Sequence, residues 1–309
     1  PEGLPARRRK GLTSPGSLGA AAARGARLSE PATPADVERA VGSLLEAGHR
    51  LAPDEVAATV ARHMAAIGMD DAAIYLIDLD QRRLLPLRPA GSTAGEPLEV
   101  DGTSAGQAFR TQKPVCEPAP VGTSACLWVP LIDGADRLGV LSTTVLEADD
   151  LTRDRAKQLA SIAAALVVSK SSYGDNLVLT RRLRDMDLAA ELRWSMLPPL
   201  TFTNDRVAVA GMLEPAYEIA GDAFDYAVNG DIAHLAIVDA MGHGLEASRM
   251  ANLAVGSYRH SRRRGLDLEE TFSAMDKVVA EQFGTEKFVT GQLVRLELPT
   301  GEFTWVNAG

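Results

Sequence analysis

Two aspartates, Asp222 and Asp239, are the residues of this 309-residue chain best placed to do chemistry. Between them Asn229-Gly230-Asp231 separates two strand-like runs and reads as a hairpin turn. With Gly230 and Asp231 at its centre, Asp222 lies directly opposite Asp239. On the same face Phe224 meets Ile237, Tyr226 meets Leu235 and Val228 meets Ala233, so an apolar face ends in two carboxylates. Opposed side chains of this kind have Cβ atoms about 4.5–5.5 Å apart, and like charges there repel. A hard divalent cation with oxygen ligands, Mg²⁺ or Mn²⁺, would relieve the repulsion. A second reading stands beside it: two aspartates that mark strand ends on a solvated loop. Asp225 falls on the opposite face in this register, so Asp225→Asn is expected to be milder than Asp239→Asn.

Asp239 runs into Ala240-Met241-Gly242-His243-Gly244 and then an apolar-striped helix. The two glycines let the backbone turn sharply and direct its carbonyls towards a cation. His243 reads equally as a catalytic acid or as a turn residue bonded locally.

These residues need a scaffold, and the chain is long enough for two domains. Hydrophobic residues make up 46% and charged residues 24%, which excludes wholesale disorder. The longest apolar run, around Ala160 to Val168, is too short to span a membrane. Cys116 and Cys126 make neither a disulfide framework nor a zinc pair, and read as small core residues of a reducing, cytoplasmic compartment. The net charge of −9 argues against nucleic acid as a partner. Its distribution is uneven. Residues 1–28 carry six basic residues against Glu2 alone, a net of +5 that leaves −14 on the remainder of the total of −9. Rich in Ala, Gly, Pro and Ser, the head through residue 33 reads as a disordered basic tail. The chain starts without Met and stops at Asn307-Ala308-Gly309, and both ends read as cuts.

From residue 34 the pattern gives helices over Ala35 to Ala47 and from Pro53 to Gly68, then strands Ala73 to Ile77 and Arg83 to Leu87. Pro86 suggests an edge position for the second strand. Gly91 to Gly102 reads as loop and Thr103 to Thr111 as a short helix. Strands Leu127 to Ile132 and Leu138 to Val145 follow, joined at Asp133-Gly134. Beyond Thr152 the pattern is helical for more than forty residues, interrupted at Gly174-Asp175-Asn176. Leu179, Leu183, Met186, Ala190, Trp194 and Leu197 approximate a heptad stripe, consistent with a dimerising coiled coil or with an amphipathic helix on its own domain. Pro198-Pro199 ends it. Asp267 and Glu270 form a capping box for a helix to Phe283, with a stripe of Leu268, Phe272, Met275 and Val279.

The order of elements over 34–170 resembles a GAF domain, most of all in "CLWVPLIDGADRLGVLSTTV". That resemblance implies a pocket for an unknown small-molecule or protein signal. Residues 171–199 are then a helical linker, and 200–309 a second domain. The second resemblance is more specific. "AGDAFDY" is similar to the GGDxxDY of metal-dependent protein phosphatases (PPM type, SpoIIE-like branch), and "VDAMGHG" to their SDGMGHG. "ELRWSMLPP", "EPAYEIAGD" and "KFVTGQLVRLELPTGEFTWVNAG" resemble three further motifs of the branch in the right order. Ala220 and Ala223 stand where the family usually has Gly and often Trp.

The resemblance implies an α+β chain whose second domain is an αββα sandwich, incomplete at its C-terminal end, with helices Leu245 to Arg259 and Asp267 to Phe283 on the sheets. It implies two divalent cations, Mn or Mg, with Asp222 ligating one, Asp239 bridging both and the main-chain carbonyl of Ala240 completing part of the shell. Asp222 and Asp239 are thus the implied catalytic residues. The implied activity is a sensor-regulated phosphoserine/phosphothreonine phosphatase, acting on a phosphorylated anti-anti-sigma (STAS-type) protein; the expectation of a homodimer comes from the heptad stripe alone. The family's TDGxxE and DDxT motifs lie beyond Asn307-Ala308-Gly309 in the family order, so this stretch carries two carboxylate ligands where the family uses about four. A degenerate phosphatase module serving as a binding scaffold is the alternative, and a cyclic-nucleotide receptor centred on the first domain a weaker third.

Overall fold

The computed structural model describes residues 32–88, 95–117, 123–214, 217 and 220–309. The expected disordered tail lies outside the described residues, apart from its last two positions. Helix α1 (Pro34–Gly48) is opened by Thr33, whose side chain accepts from the Asp36 amide while the Asp36 carboxylate accepts from Thr33. A 3-10 turn (Pro53–Glu55) leads into α2 (Val56–Ala65). Strands β1 (Asp70–Ile77), β2 (Arg83–Pro86) and β3 (Leu98–Glu99), helix α3 (Ser104–Thr111), and strands β4 (Val115–Glu117), β5 (Ala125–Asp133) and β6 (Asp136–Val145) complete a six-stranded antiparallel sheet. Its order is β3-β2-β1-β6-β5-β4. Helix α4 (Asp150–Lys170) starts at Asp149, whose carboxylate accepts from the Thr152 amide at 2.7 Å.

The alternation along β1 and β5 sends one set of side chains to each face of this sheet. Ile74, Leu127 and Leu141 pack with Leu44, Met64 and Leu159 from the helices, and Ile77, Trp128 and Val140 pack with Phe109 of α3. Each such side chain, fully buried, contributes about 1.5–3 kcal/mol. Strands β3 and β4 escaped the sequence reading, since two or three residues carry no legible period. β3 pairs with Arg83 and Leu84 alone, so Pro86 sits where no ladder partner needs its missing N–H.

The linker departs from expectation. In place of a continuous helix there are α5 (Asn176–Thr180) and α6 (Leu188–Met196), with irregular backbone between them. Competing polar bonds hold the break. Arg181 donates from Nε to the Ile77 carbonyl at 3.0 Å, its own carbonyl accepts from Leu79, and the Leu183 amide donates to the Tyr217 hydroxyl. Arg182 pairs with Glu191, and Asp187 caps the new start at α6. The heptad stripe on which the dimer expectation rested is therefore not assembled on one helix.

The chain continues with a two-stranded pair, β7 (Thr201–Thr203) and β8 (Ala208–Ala210), followed by β9 (Ala220–Asn229), β10 (Ile232–His243), α7 (Gly244–Arg263), α8 (Leu268–Phe283), β11 (Val289–Glu297) and β12 (Phe303–Ala308). The last four strands form an antiparallel sheet ordered β12-β11-β10-β9. Its helix-covered face is built from small residues. Ala223, Ala236 and Val238 meet Met250, Ala254 and Met275, which brings the helices close. Among the described residues the incomplete sandwich is a four-stranded sheet with helices on one face, and the pair β7–β8, with Phe202 against Tyr226 on the other face, is the part of a second sheet that is present. No helix among the described residues is long and apolar enough to cross a membrane.

Candidate metal centre

The hairpin β9–β10 has the register that the turn chemistry predicts: Asn229 pairs with Ile232, Phe224 with Ile237, and Asp222 with Asp239. Both carboxylates are exposed, on the face that carries Phe224, Tyr226, Leu235 and Ile237. Thr290 of β11 is the next residue in the same row, opposite Asp239, and its hydroxyl donates to the Asp239 carbonyl at 3.5 Å. Past Asp239 the β9–β10 ladder slips and resumes only at His243 with Ala220. This bulge is what the glycines permit, Gly242 and Gly244 both having positive φ, at 96° and 69°. Gly221 is required for another reason. A Cβ there would overlap the Ala240 carbonyl oxygen, so only glycine lets this carbonyl lie against β9. His243 is the N-cap residue of α7, and its side chain makes no capping bond.

Asp222, Asp239 and the Ala240 carbonyl offer oxygen donors only, which suits a hard divalent cation in kind. In number they fall short. Among the described residues no group of three or more His, Cys, Asp or Glu side chains is placed to hold a metal ion.

Behind this row lies an ionic cluster that the sequence reading missed. Asp225 is 3% exposed, on the helix-facing side of β9. It accepts from Arg259 Nε and Nη2 at 3.0 and 2.6 Å and from Arg262 Nη1 at 2.8 Å. Arg259 also donates to the Met196 carbonyl at the end of α6. The register expectation for its face holds, and its carboxylate serves the packing of α7 on β9. Removing the charge strands two arginines. The available signal was the pair of arginines three apart on α7, readable only once that helix is laid on β9.

Arg193 of α6 was also missed. Its side chain is buried, at 1% exposure, and Nη1 donates to the Asn252 side chain at 2.8 Å, while Nε and Nη2 have no partner. Burial pushes this guanidinium down to about 10, and the charge of Asp222 opposes that shift. Ser248 and Asn252 of α7 donate from their side chains to the Ala189 and Leu192 carbonyls of α6, so α6 is clamped to the helix that leaves the aspartate row. Tyr226 donates to the Pro199 carbonyl and fixes the chain entering β7. Burial, then Glu117, pushes the Cys126 thiol up to about 11, which favours its neutral form.

His234 faces the same arginine cluster. Burial first, then Arg262 and Arg295, hold its imidazole below the ordinary value. The unfolded chain therefore takes up a proton near pH 6.5, roughly, that the native state resists. Stability should be full above that value and fall as pH drops through it. Urea unfolding of His234→Gln should show a flatter pH dependence over about pH 7 to 5 than the unsubstituted protein. Identical slopes would contradict this assignment.

Residues 229–309 match the family model for stage II sporulation protein E (SpoIIE). The match contains Asp239 and Ala240 and begins after Asp222. No curated protein matches the chain. Among solved structures, the GAF domain of a phosphoenolpyruvate-protein phosphotransferase (ptsP) from Coxiella burnetii is 14% identical, covering 45% of this chain and 96% of its own, with a TM-score of 0.39. GAF-B of DevS from Mycobacterium smegmatis is 21% identical over 39% of this chain and 96% of that one, with a TM-score of 0.32. The free methionine-R-sulfoxide reductase from Neisseria meningitidis, solved with its substrate, is 16% identical over 48% and 99%, with a TM-score of 0.38. Over residues 229–309 the chain is thus similar to the SpoIIE family.

Proposed function

We propose that the chain belongs to a sensor-regulated, metal-dependent protein phosphatase that removes phosphate from serine or threonine. The observation that carries this reading is the pairing of Asp222 with Asp239 at the end of an apolar sheet face, the latter inside the segment that matches the SpoIIE family. Asp222 and Asp239 would hold the cations, with the Ala240 carbonyl as a further oxygen donor. When bound, such a pair of cations supplies an activated water for in-line attack on phosphorus and neutralises the phosphoryl oxygens. The chain's own part is placement. Gly221 admits the Ala240 carbonyl, Thr290 bonds the backbone of Asp239, and the Arg259–Asp225–Arg262 cluster fixes the strand beneath Asp222.

The substrate class, a phosphorylated anti-anti-sigma protein of the STAS type, rests on the resemblance of five ordered motifs. The test is phosphate release by the full-length protein from a phosphoserine STAS-type substrate, with Mn²⁺ or Mg²⁺ and with a chelator. Turnover that needs the metal supports the reading, and turnover unaffected by chelation overturns it. A second reading, a module that binds without catalysis, is favoured by the shortage of a third acidic ligand among the described residues. Metal-dependent turnover would exclude it.

A further inference from the structure

On the α3 side of the first sheet, an open cavity of about 590 Å³ lies between the β1–β2 turn, the residues that follow β3 and the start of β6. Arg82, Arg110 and Arg137 line it, together with Glu99, Asp101 and Phe109. Its volume is in the range of small-molecule sites, about 300–1,000 Å³. Both carboxylates in the wall are already bonded. Glu99 accepts from Arg83 Nε at 2.8 Å, and Asp101 accepts from Arg110 Nη1. Arg82 and Arg137 are left over. Among the described residues neither guanidinium makes a hydrogen bond or an ion pair. Asp136, beside Arg137 in the chain, draws more on Arg181 than on Arg137. Arg82 is exposed and Arg137 half-buried, so both are open to a ligand.

The two cations are also held in place. The Arg82 amide donates to Asp78 Oδ1 at 2.7 Å, and the Arg82 carbonyl accepts from the Val100 amide at 2.8 Å. Asp78 is 0% exposed and accepts from the Arg83 amide as well, so a buried carboxylate fixes the turn that presents Arg82. Gln81, just before it, has a φ of 59°, a conformation rare for a residue with a side chain. The Arg137 guanidinium lies 4.9 Å from the ring centre of the buried Phe109. A guanidinium stacked on a ring keeps its in-plane N–H donors for another partner.

Two unpaired guanidinium groups call for two negative charges. A phosphoryl group carries about −1.5 to −2 near pH 7 and offers three strong acceptor oxygens, which the arginine fork matches in geometry. A single carboxylate would leave one of the two cations unpaired. We propose that this cavity binds a phosphoryl dianion between Arg82 and Arg137, either as inorganic phosphate or as a small phosphate monoester.

The probes are inorganic phosphate, phenyl phosphate, benzoate and succinate. Each is added at constant ionic strength to the full-length protein, with no divalent cation present, and read on assigned backbone amides. The expected result is a saturable shift at Arg82, Asp101 and Arg137 with phosphate and with phenyl phosphate. Arg263 and Arg264, exposed at the end of α7, should not move. Benzoate, with one charge, should bind roughly tenfold more weakly. Tighter binding of phenyl phosphate assigns the site to monoesters, and equal binding assigns it to free phosphate. Arg82→Gln and Arg137→Gln should each weaken phosphate binding roughly tenfold. Arg82 is exposed, so its variant decides the matter if Arg137→Gln misfolds. No saturable shift, a shift shared equally by Arg263 and Arg264, or unchanged affinity in Arg82→Gln overturns the site. Succinate or benzoate binding as tightly as phosphate overturns the ligand class.

Discussion

Asp225→Ala should destabilise the second domain by about 3–5 kcal/mol, the loss typical of removing one partner from a buried ion pair. Asp225 is enclosed and accepts from two arginines of α7, and those guanidinium groups have no second carboxylate to turn to in the hydrogen bonds they make. The loss spreads beyond the pair, because Arg259 also holds the last turn of α6 through the Met196 carbonyl. Asp225→Asn keeps the shape and one acceptor, so its cost should be nearer 1.5–3 kcal/mol, roughly that of a hydrogen bond to a charged group. Urea unfolding followed by circular dichroism measures both. A loss below about 1 kcal/mol for the alanine variant would mean that the arginines find other partners or water.

Asp239→Asn should have the opposite profile. The residue is exposed and faces Asp222, so removing its charge relieves repulsion. The metal-free variant should match the unsubstituted protein in stability to within about 0.5 kcal/mol, or slightly exceed it. Metal-dependent turnover by the full-length protein should fall roughly a thousandfold, since several kcal/mol of charge stabilisation depend on the lost carboxylate. Two aspartates on one hairpin thus separate by experiment, one through stability and the other through rate. An Asp239→Asn variant that unfolds, or that keeps its rate, would contradict this division of roles.

The contrast also shows which parts of the molecule were legible in the sequence. The hairpin register was, because Asn229-Gly230-Asp231 fixes a two-residue turn and the period of two does the rest. The capping box at Asp267 and the helix at Ser104–Thr111 were legible for the same kind of local reason. The linker was not. Leu179 to Leu197 carries a helical stripe, yet Arg181, Arg182 and Leu183 are claimed by Ile77, Glu191 and Tyr217, partners up to 104 residues away. Tertiary bonds override local period there. Arg193 and the Asp225 cluster share that limit, as their meaning depends on which helix lies over which strand. Of the second sheet expected from the resemblance, the pair β7–β8 is formed among the described residues, and Ile237, Phe303 and Trp305 remain at 64%, 55% and 58% exposure.

Everything proposed for the second domain turns on a divalent cation held by the Asp222–Asp239 row. Paramagnetic broadening by Mn²⁺, read on assigned backbone amides of the full-length protein, tests this most directly. Sub-stoichiometric Mn²⁺ should erase Asp222, Asp239, Ala240 and Thr290 first and leave Asp225 and Arg259, on the far side of the sheet, less affected. The pattern should be lost in Asp239→Asn. Broadening centred on another acidic surface, or a pattern unchanged in Asp239→Asn, would contradict the cation site.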